Sequence, residues 1–492
     1  MIKKFILLIL VTSLILTPLL SCASDSNNNQ NTVREDTENA EDNQLTEPEE
    51  IAEEHITPDL PDIDFDGYEF RILNTRNGEI PWLLTTLIVD EESGEALNDA
   101  IFRRNRIAEE KYGFNLVQID ASGPDDVLSR ARRSIQSGSD DFDLAMTTPD
   151  SALSLAQISL LESIDNIPYI DLSKPYWDQD MNRDFSIGNR VFFTSGDFSF
   201  NQYSATTSIL FNKKMHADLG LEDPYRFVRE GKWTIEKFGE MAKHSLIDLN
   251  GDGAIDQHDQ WGYMSFSHVY TLAIMCGLGA KYIQKDDNDI PYLSMNTEEF
   301  VNRFHAAFDV LNEGWLFDGN QWGIGRPEDM FLESRALFWT ELMNWANILR
   351  SMEHDFGILP MPKLNEQQEH YIATTGRPHV MCIPITTSNL ERTGIILEAL
   401  CAESRKSTKS AYYDTMLKSI VIGRDDESGE MLDIIFENKV YEIGRLFWES
   451  NIAGPIASAM ANGNRDIVSI IERNEVRAAT AIEKAVEAFL GE

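Results

Sequence analysis

Short stretches of alternating apolar and polar residues are separated by stretches with helical periodicity early in the chain. The pattern predicts a strand over 68–74, a helix capped by Asn98 or Asp99, a strand over 114–119, a helix over 126–136 and a strand over 141–146. Strands that alternate with helices form a parallel, doubly wound sheet. Ligands bind such sheets beside the loops that follow the strands, here 75–77 and 147–148.

Helical patterns continue farther along the chain, over about 234–247 and over 296–312. The second of these predicts a helix that packs against a core, because its apolar residues share one face: Phe300, Phe304, Phe308 and Leu311. Asn296 and Glu299 have the spacing of a capping box at its start.

The amino-terminal segment has the pattern of a secretory signal. Lys3 and Lys4 precede an apolar run over 5–20, which is short for a membrane-spanning helix and contains Pro18. The run ends in Leu19-Leu20-Ser21-Cys22, which resembles a bacterial lipobox. This resemblance implies that 1–22 is a lipoprotein signal with its lipidation site at Cys22, and that acyl chains on this residue anchor the protein in a membrane.

Residues 23–64 are rich in Ser, Asn, Gln, Glu and Asp and contain few large apolar groups. Such a segment buries too little apolar surface to offset its ordering entropy, so it predicts a disordered acidic tether. An acidic tail that binds a partner is the alternative.

The length of 492 residues indicates more than one domain. The net charge of −40 excludes nucleic acid as a partner, because a field of this sign repels phosphates. Cys276, Cys382 and Cys401 lie in apolar surroundings without metal-type spacing. They predict buried free thiols, and one disulfide among the three is the alternative.

The loop over 248–259 has the spacing of an EF-hand calcium loop. Gly253 lies at position six, where the backbone must turn sharply, and Ile255 at position eight can attach the loop to a core. The predicted ligands are the side chains of Asp248, Asn250, Asp252, Asp256 and Asp259 and the carbonyl of Ala254. Position twelve is Asp where an EF-hand usually has Glu. The alternative is an acidic surface turn without metal.

Several segments occur in an order and spacing that are typical of a known family. They include Asp141-Phe142-Asp143-Leu144, Lys174-Pro175-Tyr176-Trp177, Leu210-Phe211-Asn212-Lys213-Lys214, Ala336-Leu337-Phe338 and the stretches 165–172, 231–234 and 356–363. Over about residues 65–445 the chain resembles the extracellular solute-binding proteins of bacterial ABC transporters, sugar-binding type.

The resemblance implies a two-lobed α/β fold of the periplasmic-binding-protein type II, in which each lobe is a mostly parallel sheet flanked by helices. Lobe 1 is expected over 65–203 with about 360–404, and lobe 2 over 204–359, including the calcium loop, with about 405–492. The chain is expected to cross between the lobes near 196–208, near 356–362 and after about 404, with the ligand in the cleft between them.

Sugars present apolar C–H faces and many hydroxyls, so their sites need aromatic platforms and planar hydrogen-bonding groups. On this ground and from the resemblance, the predicted ligand contacts are Arg76, Asp197, Tyr203, Trp339, Glu341 and Arg377. An ordinary core or surface role is the alternative for each. Trp177 and Trp322 are further candidate platforms, whereas Trp233 is assigned to the core. The sequence has no Gly-x-Ser-x-Gly, phosphate-loop or His-Glu-x-x-His motif, so no catalytic residue is predicted.

These features predict a lipid-anchored extracellular binding protein, monomeric and not an enzyme. It would capture a carbohydrate such as an oligosaccharide by hinge closure and deliver it to the permease subunits of an ABC transporter. Calcium would be a structural cofactor. Three alternatives stay open: a secreted calcium-dependent glycoside hydrolase or lyase, a binding protein for anionic uronate saccharides, and a surface adhesion or sensory protein without a permease.

Overall fold

The computed structural model describes residues 56–80, 83–322, 328–345, 349, 352–412 and 427–491. Its strands are β1 (Tyr68–Thr75), β2 (Phe114–Ala121), β3 (Leu144–Thr147), β4 (Phe193–Thr194), β5 (Thr207–Asn212), β6 (Trp261–Ser265), β7 (Ile283–Lys285), β8 (Pro291–Leu293), β9 (Leu316–Asp318), β10 (Ala336–Leu342), β11 (Phe356–Leu359), β12 (Ala373–Thr374), β13 (Val380–Cys382) and β14 (Lys439–Val440).

The helices surround these strands in chain order. They are α1 (Ala96–Tyr112), α2 (Pro124–Gln136), α3 (Pro149–Ala156), α4 (Gln179–Phe185), α5 (Asn201–Ser204), α6 (Lys213–Asp218), α7 (Pro224–Arg229), α8 (Ile235–Lys243), α9 (Ser267–Gly277), α10 (Glu298–Leu311), α11 (Gly319–Trp322), α12 (Glu328–Leu332), α13 (Leu390–Lys406), α14 (Thr408–Tyr412), α15 (Glu427–Glu437), α16 (Ile443–Leu446), α17 (Ala453–Ala461) and α18 (Ile467–Leu490).

Lobe 1 is built on a sheet with the strand order β2-β1-β3-β13-β4. β1 pairs in parallel with β2 and β3, and β13 runs antiparallel to both β3 and β4. Apolar side chains project from both faces of the sheet. Ile72 packs into one buried cluster, and its neighbour Leu73 packs into another. A sheet that is covered on both faces explains why its short strands consist largely of apolar residues.

Lobe 2 has a second sheet, with the order β11-β5-β10-β6-β9. β10, β6 and β9 are parallel, and β5 runs antiparallel between β10 and β11. Phe338 faces an aromatic core that contains Trp233 and Phe238, whereas Trp339 faces the opposite cluster. Trp233 is fully buried, so its assignment to the core is confirmed.

Three chain segments connect the lobes and contact one another. Thr206 forms a bridge with Thr375, and the N–H of Gly376 donates to the carbonyl of Ala205 (2.7 Å). β12 pairs in parallel with β14, which adds the third segment. The chain crosses later than the predicted 356–362, because Pro360 and Lys363 still hydrogen-bond Trp233 of lobe 2 (2.9 and 3.0 Å) and the contacts between the connecting segments lie around 373–376.

Two of the predicted boundaries differ from the structure. Residues 56–64 were predicted as tether, but Ile56, Leu60 and Ile63 pack against the lobe 1 core. The apolar residues spaced along this stretch give it buried surface that the rest of the tether lacks. Helix α14 lies in the range predicted for lobe 2, yet it packs on α1 and α13 of lobe 1.

Helix ends also differ from the prediction. α1 begins at Ala96, and Asp99 accepts hydrogen bonds from the N–H groups of Ser93 and Gly94 instead of capping the helix (2.8 and 3.1 Å). α10 is capped by Thr297, whose hydroxyl accepts from Phe300 N–H (3.2 Å), so the predicted cap at Asn296 is wrong by one residue. Its predicted buried face is confirmed.

Cys276, Cys382 and Cys401 are buried free thiols, as predicted. In the part of the chain that the structure describes, none of the helices is long and apolar enough to cross a membrane. The predicted signal, Cys22 and residues 23–55 of the tether lie outside the described residues.

Candidate functional site

A pocket of about 460 Å³ lies in lobe 2 at the carboxyl ends of β10 and β6, beside the connecting segments. Its lining comes from β5, β10, α9, the loop after β12 and the segment around α16: Thr207, Phe266, His268, Val269, Leu272, Glu341, Leu342, Trp345, Gly376, Arg377, Arg445 and Glu449. The carboxyl ends of parallel strands are the usual ligand-binding edge of an α/β sheet.

Much of the pocket wall is apolar or aromatic. Phe266 and Leu272 come from the start of α9, and Leu342 and Trp345 come from the end of β10 and the residues after it. The ring of Trp345 contacts that of Trp339 edge-on, with centroids 6.0 Å apart, and the residue remains partly exposed. A partly exposed aromatic ring that is supported from behind can serve as a stacking platform.

Glu341 is the buried acid of this pocket. Its carboxylate accepts a hydrogen bond from Leu342 N–H (2.9 Å), and only 5% of the residue is exposed. Burial, together with the charge of Glu328, raises the pKa of Glu341 to about 7. A carboxyl group in this state can donate a hydrogen bond near neutral pH as well as accept one.

A pair of arginines shares one carboxylate at the pocket. Glu449 Oε2 accepts from Arg377 Nη2 (2.9 Å) and from Arg445 Nη1 (2.7 Å). Burial lowers the pKa of Arg445, and Glu449 and Asp150 partly offset this effect. Asp150 belongs to α3 of lobe 1, so the pocket's arginine side lies near both lobes.

His268 lies on the first turn of α9 and lines the same pocket. Burial lowers the pKa of His268, and the positive charges of Arg445 and Arg377 lower it further. The imidazole is therefore neutral at neutral pH, and because Asn320 Nδ2 donates to its Nδ1 (3.3 Å), it offers its Nε2–H as a donor.

Lobe 1 contributes polar groups where its strands end. Thr75 is the last residue of β1 and Thr147 the last of β3, and both are fully buried. Their Oγ1 atoms find no hydrogen-bond partner among the described residues. A buried hydroxyl without a partner costs about 1–3 kcal/mol, so such groups at a strand end are candidates for ligand or water contacts.

Comparison with solved structures identifies the fold. The chain is similar to the ABC substrate-binding protein Lmo0181 from Listeria monocytogenes in complex with cycloalternan, with a TM-score of 0.56, 11% identity, and coverage of 85% of this chain and 100% of that one. It is similar to the cyclic α-maltosyl-1,6-maltose binding protein from Arthrobacter globiformis, with a TM-score of 0.57, 14% identity, and coverage of 86% and 99%. This chain has the fold of an ABC-transporter substrate-binding protein.

The two-lobed type II fold predicted from the resemblance is thereby confirmed. The same fold occurs in UgpB from Mycobacterium tuberculosis in complex with glycerophosphocholine, with a TM-score of 0.56, 12% identity, and coverage of 85% of this chain and 99% of that one. The protein-family models and the curated proteins give no match to the sequence.

Within this binding-protein fold, two of the predicted contact residues come together. Glu341 and Arg377 both line the lobe 2 pocket, although 35 residues separate them in the sequence. Trp339 lies two residues before Glu341 on the same face of β10, but it is only 1% exposed and packs against Phe331 (5.6 Å between ring centroids). Trp339 therefore belongs to the core, and Trp345, which follows β10, lines the pocket instead.

Asp197 and Tyr203 form a separate buried cluster beside the connecting segments. The Tyr203 hydroxyl donates to Asp197 Oδ1 (3.3 Å), and Arg405 donates to Asp197 Oδ2 (3.3 Å). Burial raises the pKa of Asp197 to about 6. Neither residue lines the lobe 2 pocket, so their contacts hold helix α13 against the first connecting segment.

The remaining predicted groups lie elsewhere. Arg76 is exposed and pairs with Asp120 (3.0 Å), and it does not line the lobe 2 pocket. Trp177 is buried, and its indole N–H donates to Glu398 (2.8 Å), which gives it a structural role. Trp322 is 42% exposed and stacks on Phe317 (5.6 Å) outside this pocket.

Sequence reasoning missed His268, Arg445 and Glu449, and from the candidate cluster over 339–345 it selected Trp339 in place of Trp345. The rule that ligands bind beyond strand carboxyl ends could have found His268, because it follows β6 closely. Arg445 and Glu449 lie more than a hundred residues after β10 and carried no local signal. Only the return of the carboxyl-terminal segment to this pocket identifies them.

The loop over 248–259 turns as the sequence predicts. Gly253 has a φ of +84°, the left-handed region that favours glycine, and Ile255 packs against a buried cluster. Asp248 accepts from Gly251 N–H and Gly253 N–H (2.7 and 2.9 Å). Asp259 is buried and accepts from the N–H groups of Leu249 and Asp256 (2.9 and 2.8 Å).

The acidic groups of this loop do not converge in this conformation. Among the described residues, no group of three or more His, Cys, Asp or Glu side chains is positioned to hold a metal ion. Asp252 and Asp256 each accept from a backbone N–H two residues ahead (2.8 Å each). A carboxylate has acceptor capacity beyond one such bond, so the donor set suits calcium chemically, whereas the side-chain directions do not yet form a metal site.

Proposed function

We propose that this protein is an extracellular binding protein that captures a carbohydrate and delivers it to an ABC transporter. The observation that carries the proposal is the pocket at the strand ends of lobe 2, beside the segments that connect the lobes. It combines aromatic wall residues with carboxyl, imidazole and guanidinium groups, the mixture that a sugar requires.

The proposed mechanism is ligand-induced closure without covalent chemistry. A sugar ring would stack on Trp345 and receive hydrogen bonds from Glu341, His268 and the arginines. Buried polar groups of lobe 1, such as the hydroxyls of Thr75 and Thr147, would complete the site when the lobes approach. A ligand that contacts both lobes stabilises the closed state, which a permease can distinguish from the open one.

The test is a thermal-shift screen of the purified protein with plant and microbial oligosaccharides, followed by product analysis of every compound that binds. Glycerophosphocholine belongs in the screen, because one structure with this fold holds it. A saccharide that raises the melting temperature and is recovered intact supports the proposal. If glycerophosphocholine binds and no saccharide does, carbohydrate capture is excluded.

A matched pair of variants locates the site. Trp345→Ala removes the pocket platform and should weaken saccharide binding by about fivefold or more, since aromatic contacts of this kind carry about 1 kcal/mol or more. Trp322→Ala removes an exposed indole outside the pocket and should leave binding unchanged. The reverse result would place the sugar elsewhere on lobe 2.

A second candidate function is glycoside hydrolysis, and the raised pKa of Glu341 is the observation that favours it. A glycosidase needs a second carboxyl group across the scissile bond. Glu449 is the other acid of the pocket, but two arginines hold its carboxylate. Cleavage products in the screen that disappear in Glu341→Gln would establish the enzyme and exclude a pure binding protein.

We also propose that acyl chains on Cys22 anchor the protein to the outer face of the cell membrane. What supports this is the lipobox-like sequence and the apolar run before it. The acidic tether that follows would hold the lobes away from the membrane surface, and the permease subunits would be the partner there. Neighbouring genes for two permease subunits would separate transport from a role in sensing or adhesion.

Calcium binding by the loop over 248–259 is a further proposal, with Asp248, Asn250, Asp252, Asp256, Asp259 and the Ala254 carbonyl as ligands. The ligand spacing, the positive φ of Gly253 and the burial of Asp259 support it. The ion would relieve repulsion among the loop carboxylates and stabilise lobe 2 by mass action, and no part of ligand capture depends on it.

A further inference from the structure

Two arginines of the lobe 2 pocket, here called the arginine pair, share a single carboxylate. Arg377 and Arg445 each donate one hydrogen bond to the same oxygen of Glu449. A guanidinium carries five N–H donors, and neither arginine has another hydrogen-bond partner among the described residues. Two positive charges therefore share one carboxylate and retain donors for a bound group.

The other charged groups near the pair do not remove this excess. His268 is neutral because burial lowers its pKa. Asp318 Oδ1 is held by the N–H groups of Ser267 and Asn320 (3.2 and 2.9 Å), and Asp318 does not line the pocket. Asp150 interacts with Arg445 from lobe 1, where it lines a different pocket. Within the lobe 2 pocket itself, the arginines outnumber the ionised carboxylates.

Glu341 is the other acid that lines this pocket. Burial raises the pKa of Glu341, the charge of Glu328 adds to this, and neither arginine contributes. The pocket thus combines the two cations Arg377 and Arg445 with a carboxyl group whose pKa burial raises.

We propose that the arginine pair recognises an anionic group on the saccharide, so that the ligand is an acidic sugar. This rests on the proposed carbohydrate-binding function and names its substrate class. Guanidinium groups bind carboxylate and phosphate oxygens through paired N–H donors, and such charge-assisted bonds are stronger in a partly buried pocket than in water. Because the whole chain carries a net charge of −40, a local cationic site is needed before an anionic ligand can bind.

The sources of the anionic group are a uronic-acid carboxylate and a sugar phosphate, and the experiment separates them. Oligogalacturonate, oligoglucuronate and oligomannuronate are each compared by calorimetry with their methyl esters, which keep the shape and lose the charge. Glucose 1-phosphate is compared with glucose. We expect at least one acid to bind about tenfold or more tightly than its neutral partner, with an affinity that falls as salt increases.

Two variants connect this preference to the pair. Arg377→Gln combined with Arg445→Gln removes both cations from the pocket and should abolish the preference for the acid over its neutral partner. Glu449→Gln alone removes the competing carboxylate and should strengthen acid binding by about threefold or more, because more donors face the ligand. Arg76→Gln, at an exposed arginine outside the pocket, is the matched control and should change nothing. The melting temperature of each free variant checks that it folds.

The possible outcomes separate the acidic-sugar proposal from the carbohydrate-capture proposal on which it rests. Neutral saccharides that bind as well as every acid overturn the acidic-sugar proposal and leave carbohydrate capture intact. An acid preference that survives in the double variant also overturns the acidic-sugar proposal, because a group other than the arginine pair must then bind the anionic group of the ligand. If no saccharide of either kind binds, carbohydrate capture fails as well.

Discussion

At the residue scale, Glu341 shows how burial changes the chemistry of a side chain that the sequence can only name. Its carboxyl group lies at the end of β10, with the Leu342 N–H as its hydrogen-bond donor, and burial raises its pKa to about 7. About half of the acid is therefore protonated at neutral pH, which suits a hydrogen-bonding role toward a sugar hydroxyl.

This burial predicts a pH-dependent stability difference. The pKa of Glu341 rises from 4.5 to about 7 on folding, so its protonated form costs nothing below about pH 4.5, and stability is lost as the pH rises toward 7. Glu341→Gln cannot ionise. We expect its free energy of unfolding, relative to wild type, to improve by roughly 3 kcal/mol between about pH 4.5 and pH 8. Denaturant unfolding at both pH values measures this, and a pH-independent difference would show that Glu341 is solvated.

At the element scale, the third connecting segment is attached to lobe 1 by a buried ion pair. Lys439 of β14 donates to Asp178 Oδ2 (2.8 Å), and the Tyr441 hydroxyl donates to the same oxygen (2.5 Å). Asp178 also caps α4 by accepting from Met181 N–H (2.9 Å). Burial alone would raise the pKa of Asp178, but Lys439 and these hydrogen bonds keep it below its ordinary value.

Because Lys439 and Asp178 form a buried ion pair, we expect substitutions of the two residues to have non-additive effects on the free energy of unfolding. Lys439→Met leaves the Asp178 carboxylate buried without a cation and should lower the free energy of unfolding by about 3–5 kcal/mol. Lys439→Met with Asp178→Asn keeps the helix cap and buries no charge, so it should recover most of the loss. Urea unfolding of both variants provides the test. Equal losses in the single and double variants would mean that Lys439 acts only by packing.

The loop over 248–259 carries the second prediction at this scale. If it binds calcium, calcium at about 100 times its Kd should stabilise the protein by about 3 kcal/mol, and a chelator should reverse this. Asp252→Ala should remove the response, whereas Asp287→Ala, an exposed aspartate of another loop, should retain it. A melting temperature that is insensitive to both calcium and chelator would identify a metal-free turn.

At the scale of the whole molecule, two sheets are joined by three segments that contact one another, and the pocket lies beside this junction. Such a junction lets small changes in a few backbone dihedrals move one lobe against the other. The carboxyl-terminal segment contributes to both the junction and the pocket. Strand β14 belongs to the junction, and Arg445 and Glu449 line the pocket.

The attachment of the whole molecule to a membrane is a prediction about Cys22. Wild-type protein should fractionate with membranes, and mass spectrometry should find a lipid-modified cysteine at its amino terminus. Cys22→Ser should release the protein into the medium, whereas Ser26→Ala in the tether should not. Wild-type protein found in the medium with an unmodified terminus would contradict the anchor.

Local sequence patterns were enough to predict the alternation of strands and helices, the buried face of α10 and the turn at Gly253, whereas the structure decided that the three cysteines are free thiols. The predicted features depend on local periodicity and on the backbone freedom of single residues, which neighbouring positions reveal. The order of segments also indicated two lobes, which the strand orders and the solved structures bear out.

The tertiary structure alone decided which residues form the pocket. Trp339 and Trp345 have the same side chain, and only their positions in the fold distinguish them. Trp339 lies within β10 and is buried in the core, whereas Trp345 follows the strand and lines the pocket. Arg377, Arg445 and Glu449 meet because distant segments return to one place, whereas Asp197 lies outside the pocket and accepts hydrogen bonds from Tyr203 and from Arg405 of α13. A site built from long-range contacts has no local pattern, so it becomes visible only when the chain is folded.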